Sequence, residues 1–345
     1  MDLSSAVYVA ILRTREAELK AFRHLGADTR QSLLPVMEFT RSRRGKKNPT
    51  GAVDKCVEEV LSMMGDEPFI ADVTTLTAHS SSETQELLDP AGGFANWQRF
   101  VPRLGANCIP VVHLTDPFDA RSLKNQAASL ARNSGHVAIR IPPGYADAAA
   151  LEKALIQALG SMSKVVLICD AAFVDRNSFS QLAMGAFGTL QQFGTRPLHS
   201  VVASSCFPPS VVLPNYGGDA YGKFPLLEVL LSEWIKGQAG LEHVLHGDYG
   251  LVYPEDANST ATRWVPRVDV PLDTELFYHR YRRPVGGYIK AAQHALHDSD
   301  YRLFPCWAHD NIVEAAKGSP MGRSPSHWIA VRVNFHINRQ IARLT

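Results

Sequence analysis

The chain has 345 residues, 45% hydrophobic and 20% charged, with 35 Lys and Arg against 34 Asp and Glu. That balance excludes a global pull toward nucleic acid or a membrane surface, so a partner of either kind would need a local patch. No apolar run approaches the roughly 18 residues of a membrane span, and five scattered cysteines (Cys56, Cys108, Cys169, Cys206, Cys306) without a CxxC pair exclude a disulfide framework or a structural zinc site.

Residues 7–13 (VYVAILR) open the chain as a strand rather than a signal peptide, since no basic region precedes the apolar stretch. The expected location is therefore the cytoplasm. A helical segment follows at 16–25, with Leu19, Phe22 and Leu25 three apart. The second strand is 33–39 (LLPVMEF), ending near Glu38, and the third is 69–73 (FIADV), ending near Asp72. Between them, Val53, Val57, Val60, Leu61 and Met64 keep a helical period. Residues 94–104 read as helix, 108–114 (CIPVVHL) as the fourth strand with His113 at its end, and 136–141 (HVAIRI) as the fifth with Arg140. A helix at 148–159 precedes the sixth strand, 164–170 (KVVLICD), an uninterrupted apolar run closed by Asp170. Such a run, rich in β-branched residues, suits a strand buried on both faces of a parallel sheet. Helix at 178–193, strand at 198–205 ending in Ser205, helix at 224–236 and strand at 241–248 ending in Asp248 complete the series.

Eight strand–helix alternations over about 250 residues fit a (β/α)8 TIM-like barrel, with an open doubly wound sheet as the competing topology. No GxGxxG follows the first strand, which favours the barrel. Residues 251–345 break the alternation and are rich in Arg, His and aromatics. They are expected to supply a closing helix at 287–296 and an appended cap or edge hairpin, all within one elaborated domain spanning 1–345.

In a barrel the carboxyl ends of the strands converge on one mouth. Glu38, Asp72, His113, Arg140, Asp170, Ser205 and Asp248 would meet there, joined by Arg13 and Arg15 from the first strand. Glu38, Asp72 and Asp170 are the expected ligands of a divalent metal, Mg2+ or Mn2+, because oxygen donors favour hard cations. His113, Arg140 and Asp248 are the expected catalytic groups, His113 because an imidazole moves a proton near neutral pH. The loop RSRRGKK places Arg41, Arg43, Arg44, Lys46 and Lys47 over the mouth, where with Arg13 and Arg15 they would bind an anionic ligand or a nucleic-acid backbone. The reaction class these residues suit is metal-dependent phosphoester hydrolysis, a nuclease or phosphodiesterase, with no organic cofactor. The alternative is a non-catalytic recognition module whose protein partner docks on 251–345, since Arg and aromatics are favoured at interfaces. Carboxylates at strand ends also cap helices or pair with arginines, and NFHIN (334–338) reads as a structural His among alternating apolar residues.

The opening YVAILRTREAELKAF, with Arg13, Arg15 and Glu18, resembles the start of the phage T4-type beta protein family. LLPVMEF, GDYG (247–250) and the late HWIAVRVNFHINRQI are similar to that family's pattern as well. The basic pair is Arg/Arg where the family leads one to expect Lys, and NFHIN has one His where two are expected. The resemblance implies a setting of phages, bacterial mobile elements and antiviral defence. It implies no reaction.

Overall fold

A computed structural model describes residues 3–46, 48–213, 215–256 and 264–345. Its centre is a closed, all-parallel barrel. The strands are β1 (Tyr8–Arg13), β2 (Leu33–Phe39), β3 (Phe69–Val73), β4 (Cys108–Val112), β5 (Val137–Ile141), β6 (Val165–Phe173) and β7 (His199–Ser205); after an outlying β8 (Tyr221–Pro225), β9 (Leu245–Asp248) closes the ring against β1. The barrel expectation holds, and the open sheet is set aside.

Period-two alternation sorts each strand. Val9, Ile11, Val36, Ile70, Val111 and Ile168 pack inward as one cluster, while residues of opposite parity, such as Tyr8, Met37, Phe69 and Leu167, pack outward on the helices. Gly247 is needed where β9 approaches β7, because a Cβ there would lie 2.8 Å from Val201 Cγ1. The expected helix at 94–104 is Ala95–Phe100 followed by a 3-10 turn, Val101–Leu104. A further helix, Ala120–Ser134, buries Leu123, Ala127 and Leu130 on one face.

The C-terminal third differs from expectation in three places. A hairpin is present, β10 (Arg267–Pro271) and β11 (Glu275–Arg280), but it belongs to a three-stranded antiparallel sheet ordered β10-β11-β8. β8 occupies residues read as the approach to and start of a helix, which begins instead at Leu227. The residues of β8 alternate exposed and buried, the period of a strand with one covered face. The helix Gly287–His297 covers this sheet rather than closing the barrel.

Barrel closure falls to the helix Pro325–Leu344, capped by Ser324. It turns Ala330, Val333, Ile337 and Ile341 to the barrel side and Trp328, Val331 and Phe335 to the second sheet. Burial on two opposite faces gives the helix an apolar residue at nearly every other position, so NFHIN imitates a strand.

Candidate functional site at the barrel mouth

Each inward row ends in a side chain at the carboxyl-end mouth: Arg13, Glu38, Asp72, His113, Arg140, Asp170, Ser205 and, after β9, Tyr249. Each keeps the parity of its strand's inward residues. Arg140 is the hub. Its Nε donates to Asp170 Oδ2 (2.8 Å), Nη1 to Glu38 Oε2 (3.0 Å) and Asp72 Oδ2 (2.6 Å), and Nη2 to the Tyr249 hydroxyl (2.8 Å). Four of the five N–H donors of a guanidinium are thereby used. Burial alone would depress the Arg140 guanidinium, but Tyr249, Asp170, Asp72 and Glu38 hold it well above its usual range. The Tyr249 hydroxyl donates to Asp170 Oδ2 at 2.6 Å, and burial keeps that phenol protonated despite Arg140. Arg13 donates through Nη2 to the Tyr253 carbonyl (2.7 Å) and lies 3.7 Å from Glu38.

His113 is fixed from behind. Gln126 accepts from its backbone amide (2.7 Å) and donates to its carbonyl (2.9 Å), and the ring lies between Phe94 and Trp97. Nδ1 is 3.9 Å from Asp72 Oδ1, and Nε2 is buried without a hydrogen-bond partner. Burial pushes the imidazole below its usual value; Asp72 opposes the shift and Arg140 adds to it. Burial thus favours the neutral imidazole at pH 7, and neither ring nitrogen makes a hydrogen bond among the described residues. Asp72, His113, Arg140 and Asp170 line a cavity of about 310 Å³, with Leu114 and Pro142 in its wall.

Among the described residues, the non-glycine residues with left-handed φ are Phe94 (61°), Ala172 (51°) and Leu251 (60°). Two of them contact mouth side chains, and Leu251 packs in the cluster beside the second sheet. Phe94 packs on His113; Ala172 sits in the bulge after Asp170 and donates its amide to Asp170 Oδ1; Leu251 follows Tyr249 by two residues. Such conformations cost on the order of 1–3 kcal/mol each and concentrate at functional sites.

Asp248 is not in the mouth. Its parity turns it outward, where it is wholly buried and accepts from Tyr8 Oη (2.5 Å), His336 Nε2 (2.7 Å), His246 Nε2 (3.1 Å) and the Gly250 amide (2.7 Å). The residue that reaches the mouth is its neighbour, Tyr249, which the sequence reading missed. A signal was available, because Leu245 and Gly247 face inward and Tyr249 continues their row.

The basic loop stands beside the mouth on the β2 side. Arg43, Arg44 and Lys46 are exposed, Arg41 donates to the Ala78 carbonyl, and Lys47 lies outside the described residues. Arg15 is half-buried, and among the described residues its side chain makes no hydrogen bond or ion pair. Between these groups sits His79, which burial and then Arg15, Arg13 and Arg41 push down to about 4. The rim is thus positively charged around a neutral imidazole whose Nδ1 has no partner.

The expected metal ligands do not fit a metal as they stand. Glu38, Asp72 and Asp170 surround a guanidinium at 2.6–3.0 Å, which fills the space where Mg2+ would need oxygens at about 2.0–2.1 Å. Among the described residues no group of three or more His, Cys, Asp or Glu is arranged to hold a metal ion. Millimolar Mg2+ or Mn2+ should accordingly leave the melting temperature unchanged. A rise that saturates with metal concentration, abolished by Asp72→Asn, would show that Arg140 yields to the ion.

Comparison with known proteins gives the family. The model described as Beta protein matches residues 8–342. A protein of Enterobacteria phage P4 described as Protein beta is 30% identical over 342 residues, covering 97% of this chain and 92% of the relative. No solved structure matches. The relative comes from phage P4, so the T4-type form of the resemblance gains no support. Two of the motifs behind the resemblance meet in space, since the Asp248 of GDYG and the His336 of NFHIN share a hydrogen bond. The chain belongs to the Beta protein family.

Proposed function

We propose that the barrel mouth is the active site of an enzyme acting on a phosphoester, by general acid–base chemistry. The observation that carries this reading is the Arg140 guanidinium, locked by three carboxylates and a tyrosine hydroxyl beside a neutral imidazole with a free nitrogen. His113, held between Phe94 and Trp97 and 3.9 Å from Asp72, takes or gives the proton. The one uncommitted N–H of Arg140 and the rim cations Arg13, Arg15, Arg41, Arg43, Arg44 and Lys46 meet the anionic charge that grows in the transition state. No metal is assigned a step, because the carboxylates are already committed to Arg140.

The test is a screen of nucleic acids, nucleotides and generic phosphodiesters beside His113→Gln and Asp72→Asn. Removing a general acid or base is expected to lower kcat by about 10²- to 10⁴-fold, with little change in melting temperature for His113→Gln. Turnover unaltered in both variants would sink the assignment.

Family membership and the P4 relative support a setting in phage–host conflict. Cells expressing the protein are expected to change phage plating efficiency relative to cells expressing His113→Gln. Equal plating would remove that context.

A recognition role for the C-terminal third has one observation in its favour: Val285, Leu303 and Met321 are exposed there at 56%, 72% and 57%. Against it, many of that region's arginines are consumed in internal packing, Arg332 stacking on Phe207 and Arg339 on Phe304.

A further inference from the structure

Next to the mouth lies a second cavity, of about 400 Å³, that the reading above does not use. Its walls include two aromatic pairs. Phe173 meets Tyr253 edge to face at 5.2 Å, and Tyr216 meets Phe224 the same way at 5.0 Å. The pairs come from separate parts of the chain. Phe173 ends β6 just past the left-handed Ala172, and Tyr253 follows the β9 turn; Tyr216 belongs to the excursion before β8, and Phe224 to β8 itself. Two links join this cavity to the mouth: the Tyr253 carbonyl accepts from Arg13, and Phe173 stands three residues beyond Asp170 on the same strand.

Polar groups stand at its edge. Asp175 commits Oδ1 to the amides of Asn177 and Ser178. Among the described residues the side chains of Arg176 and Asn215 make no hydrogen bond, and both are exposed. Aromatic side chains with unspent donors and acceptors at one edge suit a planar heteroaromatic ring, in contact with the aromatics and hydrogen-bonded at its rim. The cavity's size falls in the range of small-ligand sites.

We infer that this cavity receives the nucleobase of a substrate whose phosphate lies at the mouth, so that the ligand is a nucleoside phosphate, free or at the end of a strand. The inference rests on the phosphoester reading for the phosphate and on the cavity alone for the base.

Calorimetric titration of the full chain with nucleoside monophosphates, a short oligonucleotide, ribose 5-phosphate and unphosphorylated nucleosides separates the two. Wild type is expected to bind a nucleoside monophosphate at least about tenfold more tightly than ribose 5-phosphate, the worth of one stacked base. Tyr216→Leu and Phe173→Leu should erase that difference while leaving ribose 5-phosphate binding and the melting temperature in place. Tighter binding of the oligonucleotide than of the monomers assigns the strand end as the source, and the reverse assigns the free nucleotide. Equal affinity for nucleotide and ribose 5-phosphate, or a preference untouched by both substitutions, overturns the inference. Binding of nucleosides that depends on Tyr216, with no gain from phosphate, would keep the base site and overturn the phosphoester reading instead. No binding by any of these compounds overturns both.

Discussion

Arg140→Met is expected to lower stability at pH 7 by about 3–5 kcal/mol, the range for removing one partner of a buried ion pair. The methionine fills similar volume, so the loss reports charge rather than a cavity. Glu38, Asp72 and Asp170 would be left facing one another in a buried mouth with only Arg13 nearby. The direction of the pH response is the sharper part of the prediction. Protonating the carboxylates relieves their repulsion, so the variant should regain part of the lost stability as pH falls below about 5. Arg140→Lys should rescue little, because an ammonium cannot span four acceptors in a plane. Urea unfolding at pH 7 and pH 4 measures both effects. A variant within about 1 kcal/mol of wild type at pH 7, or one that weakens in parallel with wild type on acidification, would mean that the hub is not organised by Arg140.

Asp248→Ala should be the most damaging single change outside the mouth, by about 3–5 kcal/mol. It strips the acceptor from Tyr8, His246 and His336, all fully buried. The same cluster gives a signed pH dependence. Burial by itself would raise the Asp248 carboxyl, but His336 and His246 hold it far below the usual carboxylate range. Its contribution is therefore present above the unfolded value of about 3.9 and is lost as pH falls below it. His246 is pushed below the usual imidazole range by burial, with Asp248 opposing. An imidazole kept neutral in the fold loses stability once pH drops below the unfolded value near 6.5. Both effects run the same way, so wild type should weaken in two stages on acidification, and Asp248→Ala should lose the lower one. Melting temperatures from pH 8 to pH 3 would show it. An acid limb unchanged in the variant would place the acid sensitivity elsewhere.

The barrel was legible because β-branched apolar runs recur with a polar residue at each carboxyl end. That position follows from topology whatever the residue's chemistry. Glu38, Asp72, His113, Arg140 and Asp170 were found in this way. The eighth strand went astray by one residue, since a carboxylate in HGDYG drew attention that strand parity would have given to Tyr249. What the three acids hold was not legible, because residue type alone suits a metal or a guanidinium equally. The register that brings Arg140 together with strands far apart in sequence gives these acids a guanidinium partner. β8 was hidden by brevity, and the helix Pro325–Leu344 by burial on two sides, which erases the single apolar stripe that marks a surface helix.

The sheet β10-β11-β8 and the helix Pro325–Leu344 bear on how this chain is made. During synthesis β1 emerges first, yet the edge it must pair with, β9, follows more than two hundred residues later. The helix that covers this seam comes later again, after the hairpin that completes the second sheet. A nascent chain stopped near residue 250 would hold the eight barrel strands with an uncovered β1–β9 seam, an unpaired β8 and Asp248 without His336. Open strand edges of this kind recruit other chains. Ribosome-bound intermediates that lack the C-terminal third should therefore be the species that chaperones hold, and folding should complete as one late event rather than strand by strand.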